Sequence, residues 1–522
     1  MTLLANPAPT AYSAIDRELE ALRLGAARWA ALPIRDKIAL LLECRSGVYR
    51  QAGRWTEAAS EAKGLTGSPV AGEEAIGGPW AVLFALNAYV ATLSDIDRFG
   101  RVRIDSKRVR RGIDGQTVVD VFPENLYDRI LFDGIRAEVW MQPDVTPETL
   151  DSTIATWYRL STHDPRVALV LGAGNISSIS ALDVLYKLVA DGAVCILKMN
   201  PVNHYLGPIF EDAFAPLVRE GYLRFAYGGA EVGKYLCRHP SVDEIHITGS
   251  DKTHDVIVFG DGPDAAERKR RNDPLLNKPI TSELGNVSPT IVVPGPWSDA
   301  DIRFQAENAV TQKLHNGGFN CIASQVLIVP KDWARAPDFI EAVHAVLKRA
   351  ADRPAYYPGA RQRCRTLASG HHDVRAFGRD DGGFVARTVS VLNASDLDEA
   401  AFTTEAFSSY LGIVALGGDT QTYLRDAVAF ANDRLWGTLG GNVIVHPATM
   451  REHRAALHRA VADLRYGCVG VNAWTGVGFL LCQTPWGAFP GHTISDVGSG
   501  IGVVHNSYLF SRSQKSVVYA PF

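Results

Sequence analysis

Apolar residues recur at helical spacing, with charges between them, from Ala14 to Trp29 and again from Pro33 to Ala52. Residues 10 to 96 read as helical throughout. The most apolar window, Pro79 to Leu93, is short for a bilayer span and carries Asn87, so it reads as a buried helix. From Arg101 to Gln142 the period drops to two. RVRID, TVVDVF after a turn at Gly115, and RAEVWMQP predict β-ribbons whose exposed edges ask for a partner. From Arg166 strand and helix alternate: VALVLGAGN, then ISALDVLYKLVADG, AVCILKMNP, HYLGPIFEDAFAPLVREG, LRFAYGG, AEVGKYLCRHPSV and EIHITGS. Successive strand–helix units of this kind predict a parallel, doubly wound α/β sheet. DGPDAAERKRRNDPLLNKP, which follows, is polar and reads as a surface excursion. From Asp299 to Lys348 helices flank a Gly-rich turn, and VLIVP opens a second α/β region. Residues 364 to 385 read as loop, AWTGVGFLL as an apolar loop, and the tail VVHNSYLFSRSQKSVVYAPF as two strand-like runs.

At 522 residues the chain is too long for one core, so two or three domains are expected. A net charge of -4 and a pI near 6.4 point away from nucleic acid. The basic runs KRVRR (107 to 111) and ERKRR (267 to 271) are flanked by acids and read as solvated faces. Seven cysteines are scattered without a C-x-x-C pair, which argues against a disulfide framework and a metal site and suits a reducing cytoplasm. The N-terminus has no basic n-region or long apolar h-region, so neither a signal peptide nor a membrane association is expected.

Candidate chemistry gathers in two stretches. In HNGGFNCIASQ, Cys321 stands just after two glycines and before a strand-like run, so its thiol is a nucleophile candidate at the mouth of a ligand site. Read alone, it is equally a small buried hydrophobe. In ITSELGNVSPT, Glu283 is an acid between apolar neighbours; desolvated, it can take a proton from a thiol or water, and otherwise it is a cap or a surface acid.

Together Glu283-Leu284-Gly285-Asn286 and Asn316-Gly317-Gly318-Phe319-Asn320-Cys321 resemble the aldehyde dehydrogenase superfamily, whose motifs read ELGG and N-x-G-x-x-C. The resemblance implies Cys321 as nucleophile and Glu283 as general base. Gly172-Ala173-Gly174-Asn175-Ile176-Ser177 departs from a dinucleotide fingerprint, with Ser177 at the third glycine position. It is similar instead to the family's turn whose asparagine amide holds an oxyanion, which implies that role for Asn175. Lys198, at the end of the next strand, matches the lysine that contacts the cofactor ribose. Gly229 lies in a loop similar to a cofactor-side loop, and Gly249-Ser250 resembles the F-T-G-S turn against the nicotinamide end and diphosphate. Leu284 is carried over with the glutamate motif. Thr404-Glu405-Ala406-Phe407 resembles E-E-I-F-G-P and implies Glu405 on the nicotinamide ribose and Phe407 against the cofactor. Further likenesses lie at Asn432, Asn472 and Pro485-Trp486-Gly487-Ala488.

The chain departs from the family at Asn286, at Ala173-Gly174 before Asn175, and at Ser408-Ser409 in place of Gly-Pro. It departs again at Ala488 and at Pro201, where many members carry a ribose-binding glutamate. Without that acid a 2′-phosphate meets less repulsion, so NAD or NADP is implied. The expected protein is a cytoplasmic α/β aldehyde dehydrogenase-like homodimer or homotetramer that oxidises a small-molecule aldehyde to a carboxylic acid through a cysteine thioester. Trp474 and Phe479, if their loop exposes them near a cleft, point to a hydrophobic substrate, and core packing explains them as well. The expected domains are a cofactor-binding domain (1–117 and 143–295), a catalytic domain (296–495) and an oligomerisation ribbon (118–142 with 500–522). A CoA-acylating enzyme and a non-catalytic protein on the same fold are the alternatives.

Overall fold

A computed structural model describes residues 7–522. The chain divides into two compact units: Met1–Arg110, Met141–Leu284 and Phe479–Ser513 form one, and Arg111–Trp140, Gly285–Gly478 and Gln514–Phe522 the other.

The first unit is built on a six-stranded sheet. Its five parallel strands, Val167–Leu171, Val194–Lys198, Leu223–Ala226, Glu244–Gly249 and Ile280–Leu284, run in spatial order 3-2-1-4-5, and the short antiparallel Gly500–Ile501 closes one edge. This is the doubly wound arrangement that the strand–helix alternation predicts. The strand order reverses between Val167–Leu171 and Glu244–Gly249, and ligands of such sheets bind at the carboxyl ends of the strands beside that reversal. The helix Tyr12–Ala31 packs on the sheet with buried Ile15, Leu19, Leu22 and Trp29, and Ile34–Ala62, with buried Leu41 and Trp55, packs on the helices Gly207–Ala213 and Ala215–Arg219. The helical segment Pro69–Phe99 is long and apolar enough, by length and composition only, to cross a membrane. Here it packs against Ile34–Ala62 and buries Val82, Leu86, Tyr89 and Leu93, as the reading of a buried helix requires.

The second unit holds an eleven-stranded sheet. Its centre is parallel, in the order Cys468–Val471, Gly440–Ile444, Ser288–Val292, Ser324–Pro330, Tyr410–Leu416, Arg387–Leu392. Alternation sends Val326 and Ile328 to one core and Leu327 and Val329 to the other, so both faces are covered.

The structure corrects several expectations. RVRID forms no strand; the first strand of the ribbon is Val109–Arg111, followed by Thr117–Phe122 and Arg136–Met141. The ribbon does not leave its inner edge for another chain. Ser513–Tyr519 pairs there and joins it to Cys468–Val471 of the same sheet. Residues 364 to 385 contain part of the helix Ala360–Ala368 and the strand Val374–Phe377, and the apolar run after Trp474 is the helix Thr475–Leu481. Glycines and charges hid the first pair from a periodicity reading, and Gly476 and Gly478 hid the helix. The surface excursion carries the exposed helix Ala265–Arg271, whose basic residues pair with Asp264, Asp273, Asp255 and Glu267. The division between units falls at Leu284/Gly285 where the sequence reading put 295/296, and Phe479–Ser513 lies with the first unit.

Candidate active site

In the first unit, the residues singled out by sequence all lie at the carboxyl ends of the parallel strands. Asn175 follows Val167–Leu171, Lys198 ends its strand, Gly229 follows Leu223–Ala226, Gly249 and Ser250 close Glu244–Gly249, and Glu283 and Leu284 end theirs. The Asn175 turn is packed from several sides. A Cβ on Gly174 would come within 2.7 Å of Asn200 Oδ1, so only glycine lets the turn lie on its neighbour. Asn200 Nδ2 donates to Gly172 O (3.3 Å), Asn203 Nδ2 to Ala173 O (2.8 Å) and Lys63 Nζ to Asn175 O (2.9 Å). Asn175 itself is buried.

Lys198 is buried, and burial pushes its ammonium down to about 8, partly offset by Cys237. No acid follows it at Pro201. Gly229 and Ser250 are exposed N-caps of the nine-residue helices Ala230–Arg238 and Asp251–Phe259, and a Cβ on Gly229 would meet nothing within 4 Å. Two helix N-termini with free approach suit an anionic ligand such as a diphosphate. Glu283 is only 2% exposed, so the desolvation that its chemistry needs is present. It sits opposite Thr248 on one side and Gly500 on the other.

In the second unit the site residues lie at the amino ends of three adjacent strands. The helix Asp299–Leu314 starts on a capping box, Ser298 with Asp301. After it, Asn316, Gly317 and Gly318 take φ of 53°, 68° and 82°, a left-handed run that asparagine and glycine tolerate. The chain reverses there, and Cys321 leads into Ser324–Pro330. All seven cysteines are described, and Cys321 alone is partly exposed. Burial pushes the thiols of Cys44 and Cys468 up to about 12 and that of Cys237 to about 11.

Asn286, where the family has glycine, needs no special backbone. It is buried, its N–H donates to Cys321 O (3.2 Å), and its Nδ2 donates to Gly440 O (3.0 Å). The Glu405 carboxylate lies directly over Gly285: a Cβ there would stand 2.0 Å from its Oε1 and 2.4 Å from its Oε2. Phe407 holds φ at 40°. In place of the rigid Gly-Pro, two side chains that the sequence reading missed hold this loop. Gln325 accepts from Ala406 N (2.7 Å) and donates to Ala401 O (2.9 Å) and Thr404 O (2.8 Å). Arg363 donates to Ala406 O (2.9 Å) and Phe407 O (3.0 Å). Gln325 stood in the quoted cysteine stretch, but nothing marked its partners; Arg363 lay just before the stretch 364 to 385 that read as loop. Trp474 packs on the turn that carries Cys321, its Nε1 donating to Ile322 O (3.2 Å) and its ring 4.9 Å from that of His315. Phe479, for which the sequence left a cleft and the core both open, is buried against Trp486. Among the described residues no group of three or more His, Cys, Asp or Glu is placed to hold a metal ion.

Comparison with known proteins bears on the family. Residues 167–351 match the model of the aldehyde dehydrogenase family. Over that segment the chain is similar to the aldehyde dehydrogenase family. The likeness of fold extends beyond that segment. A mutant of aldehyde dehydrogenase C from Pseudomonas syringae, solved with NAD+ and octanal, shares 17% identity at a TM-score of 0.66, covering 98% of this chain and 90% of its own. An aldehyde dehydrogenase-annotated structure from Burkholderia cenocepacia shares 19% at a TM-score of 0.66, covering 98% and 93%. Glyceraldehyde-3-phosphate dehydrogenase of Methanocaldococcus jannaschii, solved with NADP, shares 14% at 0.62, covering 99% and 96%.

Proposed function

We infer that this protein belongs to the aldehyde dehydrogenase superfamily and oxidises a hydrophobic aldehyde to a carboxylic acid with NAD or NADP, with Cys321 as nucleophile. The carrying observation is that Cys321, on the motif-bearing turn, is the one partly exposed thiol among seven. Its thiolate adds to the aldehyde carbon, and the resulting oxyanion is held by the Asn175 amide and the Cys321 N–H. A bound nicotinamide dinucleotide supplies the hydride acceptor. The chain's residues suit such a ligand: the open caps at Gly229 and Ser250 take the diphosphate, Lys198 and Glu405 the two riboses, and Phe407 and Leu284 the nicotinamide end. Loss of hydride leaves Cys321 as a thioester. Glu283 takes a proton from water, hydroxide attacks the thioester carbon, and the acid leaves with return of the thiolate. Trp474 beside the nucleophile turn favours an apolar substrate. A cytoplasmic homodimer or homotetramer belongs to the same reading.

The test is NAD(P)H formation with a panel of aliphatic and aromatic aldehydes, with and without CoA, on wild type and Cys321→Ala. Turnover without CoA that is lost in the variant supports hydrolytic oxidation. Turnover only with CoA assigns the acylating reaction, and none under any condition overturns the enzymatic reading.

A further inference from the structure

The helical layer that precedes the doubly wound sheet carries a fully enclosed ion pair. Lys63, at the end of the helix Ile34–Ala62, donates to Glu74 Oε1 at 2.8 Å, and both side chains are 4% exposed. A buried pair of this kind contributes little to stability when an apolar pair would fill the same space. A second contact gives it a specific target. The same ammonium donates to the backbone oxygen of Asn175 at 2.9 Å, across 112 residues of sequence.

Adjoining residues of the same layer meet the turn from its other end. Trp55 Nε1 donates to Ser177 Oγ (3.0 Å), Ser178 N donates to Gly77 O (3.1 Å), and a Cβ on Gly78 would lie 2.8 Å from Ser177 Oγ. Gly78 leaves helical geometry, with φ -120° and ψ -113°, so the helix breaks where it meets the turn.

We propose that Lys63 and Glu74 are positioning residues for Asn175. This rests on Asn175 as the oxyanion donor. Fixing the Asn175 carbonyl sets the peptide plane that follows it, and with it the direction in which the Asn175 side chain leaves the backbone. Asn200 and Asn203 hold the carbonyls of Gly172 and Ala173 ahead of it, and Lys63 holds the carbonyl of Asn175 itself. Glu74 neutralises the ammonium, so the clamp holds the turn without placing an uncompensated charge in the core. The helical preface thereby takes part in the chemistry.

The test compares wild type, K63M/E74M, N175A and the triple variant. The double substitution removes both charges and keeps an apolar fill, which guards against a folding failure that K63M alone invites. A misplaced reacting group costs on the order of 10²-fold in rate, and loss of one oxyanion donor about 10²- to 10³-fold. K63M/E74M is expected to lower the single-turnover rate of NAD(P)H formation by about 10- to 100-fold with the coenzyme KM unchanged. Added to N175A, it is expected to cost nothing further, because it acts through that side chain. A crystal structure of K63M/E74M is expected to show residues 172–177 displaced. Full rate in K63M/E74M with N175A crippled, an undisplaced turn, or losses that multiply with those of N175A overturns the proposal. Full rate in N175A itself overturns the assignment of Asn175, and the proposal with it.

Discussion

The contact between Gly285 and Glu405 permits a substitution that disturbs one functional side chain and little else. In Gly285→Ala the new methyl would stand 2.0 Å from Glu405 Oε1, 2.3 Å from Cδ and 2.4 Å from Oε2, where ordinary contact begins at 3.4 Å. The carboxylate must retreat by about 1.4 Å, the difference between 3.4 and 2.0 Å. The obstruction is the far end of a flexible side chain, and Gly285 is outside the positive-φ glycines, so alanine suits its backbone. The change in folding stability should stay within about 1 kcal/mol, since a tolerated Gly→Ala restricts the unfolded chain and offsets the local shift. Coenzyme binding should suffer much more. A hydrogen bond to a charged acceptor is worth about 1.5–3 kcal/mol, so a displaced Glu405 should raise the dissociation constant of NAD or NADP roughly 10- to 100-fold. Fluorescence titration of each coenzyme into wild type and Gly285→Ala, alongside urea unfolding, measures both quantities. Unchanged coenzyme affinity in a folded Gly285→Ala protein would refute the role of Glu405 on the ribose.

Native-state labelling with iodoacetamide should modify one thiol, Cys321, and Cys321→Ser should abolish it; the six buried cysteines should react only on unfolding, and a second rapidly labelled site would contradict this. Gln325→Leu leaves three backbone groups around Ala401, Thr404 and Ala406 without their side-chain partner, at about 1 kcal/mol each, so urea unfolding should show a loss of roughly 3 kcal/mol. Lys37 is buried between Trp29 and Trp157, with its Nζ 4.8 and 4.1 Å from their rings, and burial pushes its ammonium from 10.5 down to about 7. The folded state releases this proton first. Its destabilising effect is therefore complete below pH about 7 and relieved as pH rises toward 10.5. Lys37→Met should raise the Tm more at pH 6 than at pH 10, and an equal shift at both would refute the linkage.

Much of the site was legible because its chemistry is local. The N-x-G-x-x-C turn works through consecutive backbone angles at Asn316, Gly317 and Gly318, and those angles demand particular residues at adjacent positions. Glu283 stood out as an acid between apolar neighbours, and the fold decided that it is buried and not a cap or a surface acid. The substitution at Asn286 was legible as a departure, but its hydrogen bonds to the Cys321 and Gly440 carbonyls were not, since neither partner is a sequence neighbour. Arg363 illustrates the same limit: a charged residue in a stretch without periodicity carries no sign that it holds Ala406 and Phe407.

The sequence by itself determined the alternating strands and helices of the sheet, the turns at its strand ends and the turn that carries Cys321, because hydrophobic period and glycine placement are properties of short segments. Only the tertiary structure decided that Ser513–Tyr519 joins the ribbon to Cys468–Val471, that Phe479–Ser513 returns to the first unit, and that Lys63 holds the Asn175 carbonyl. A strand edge and a buried ammonium each accept any partner of suitable shape and polarity. Which one they meet is chosen by how distant segments bury their surfaces together, and that choice is made over the whole fold.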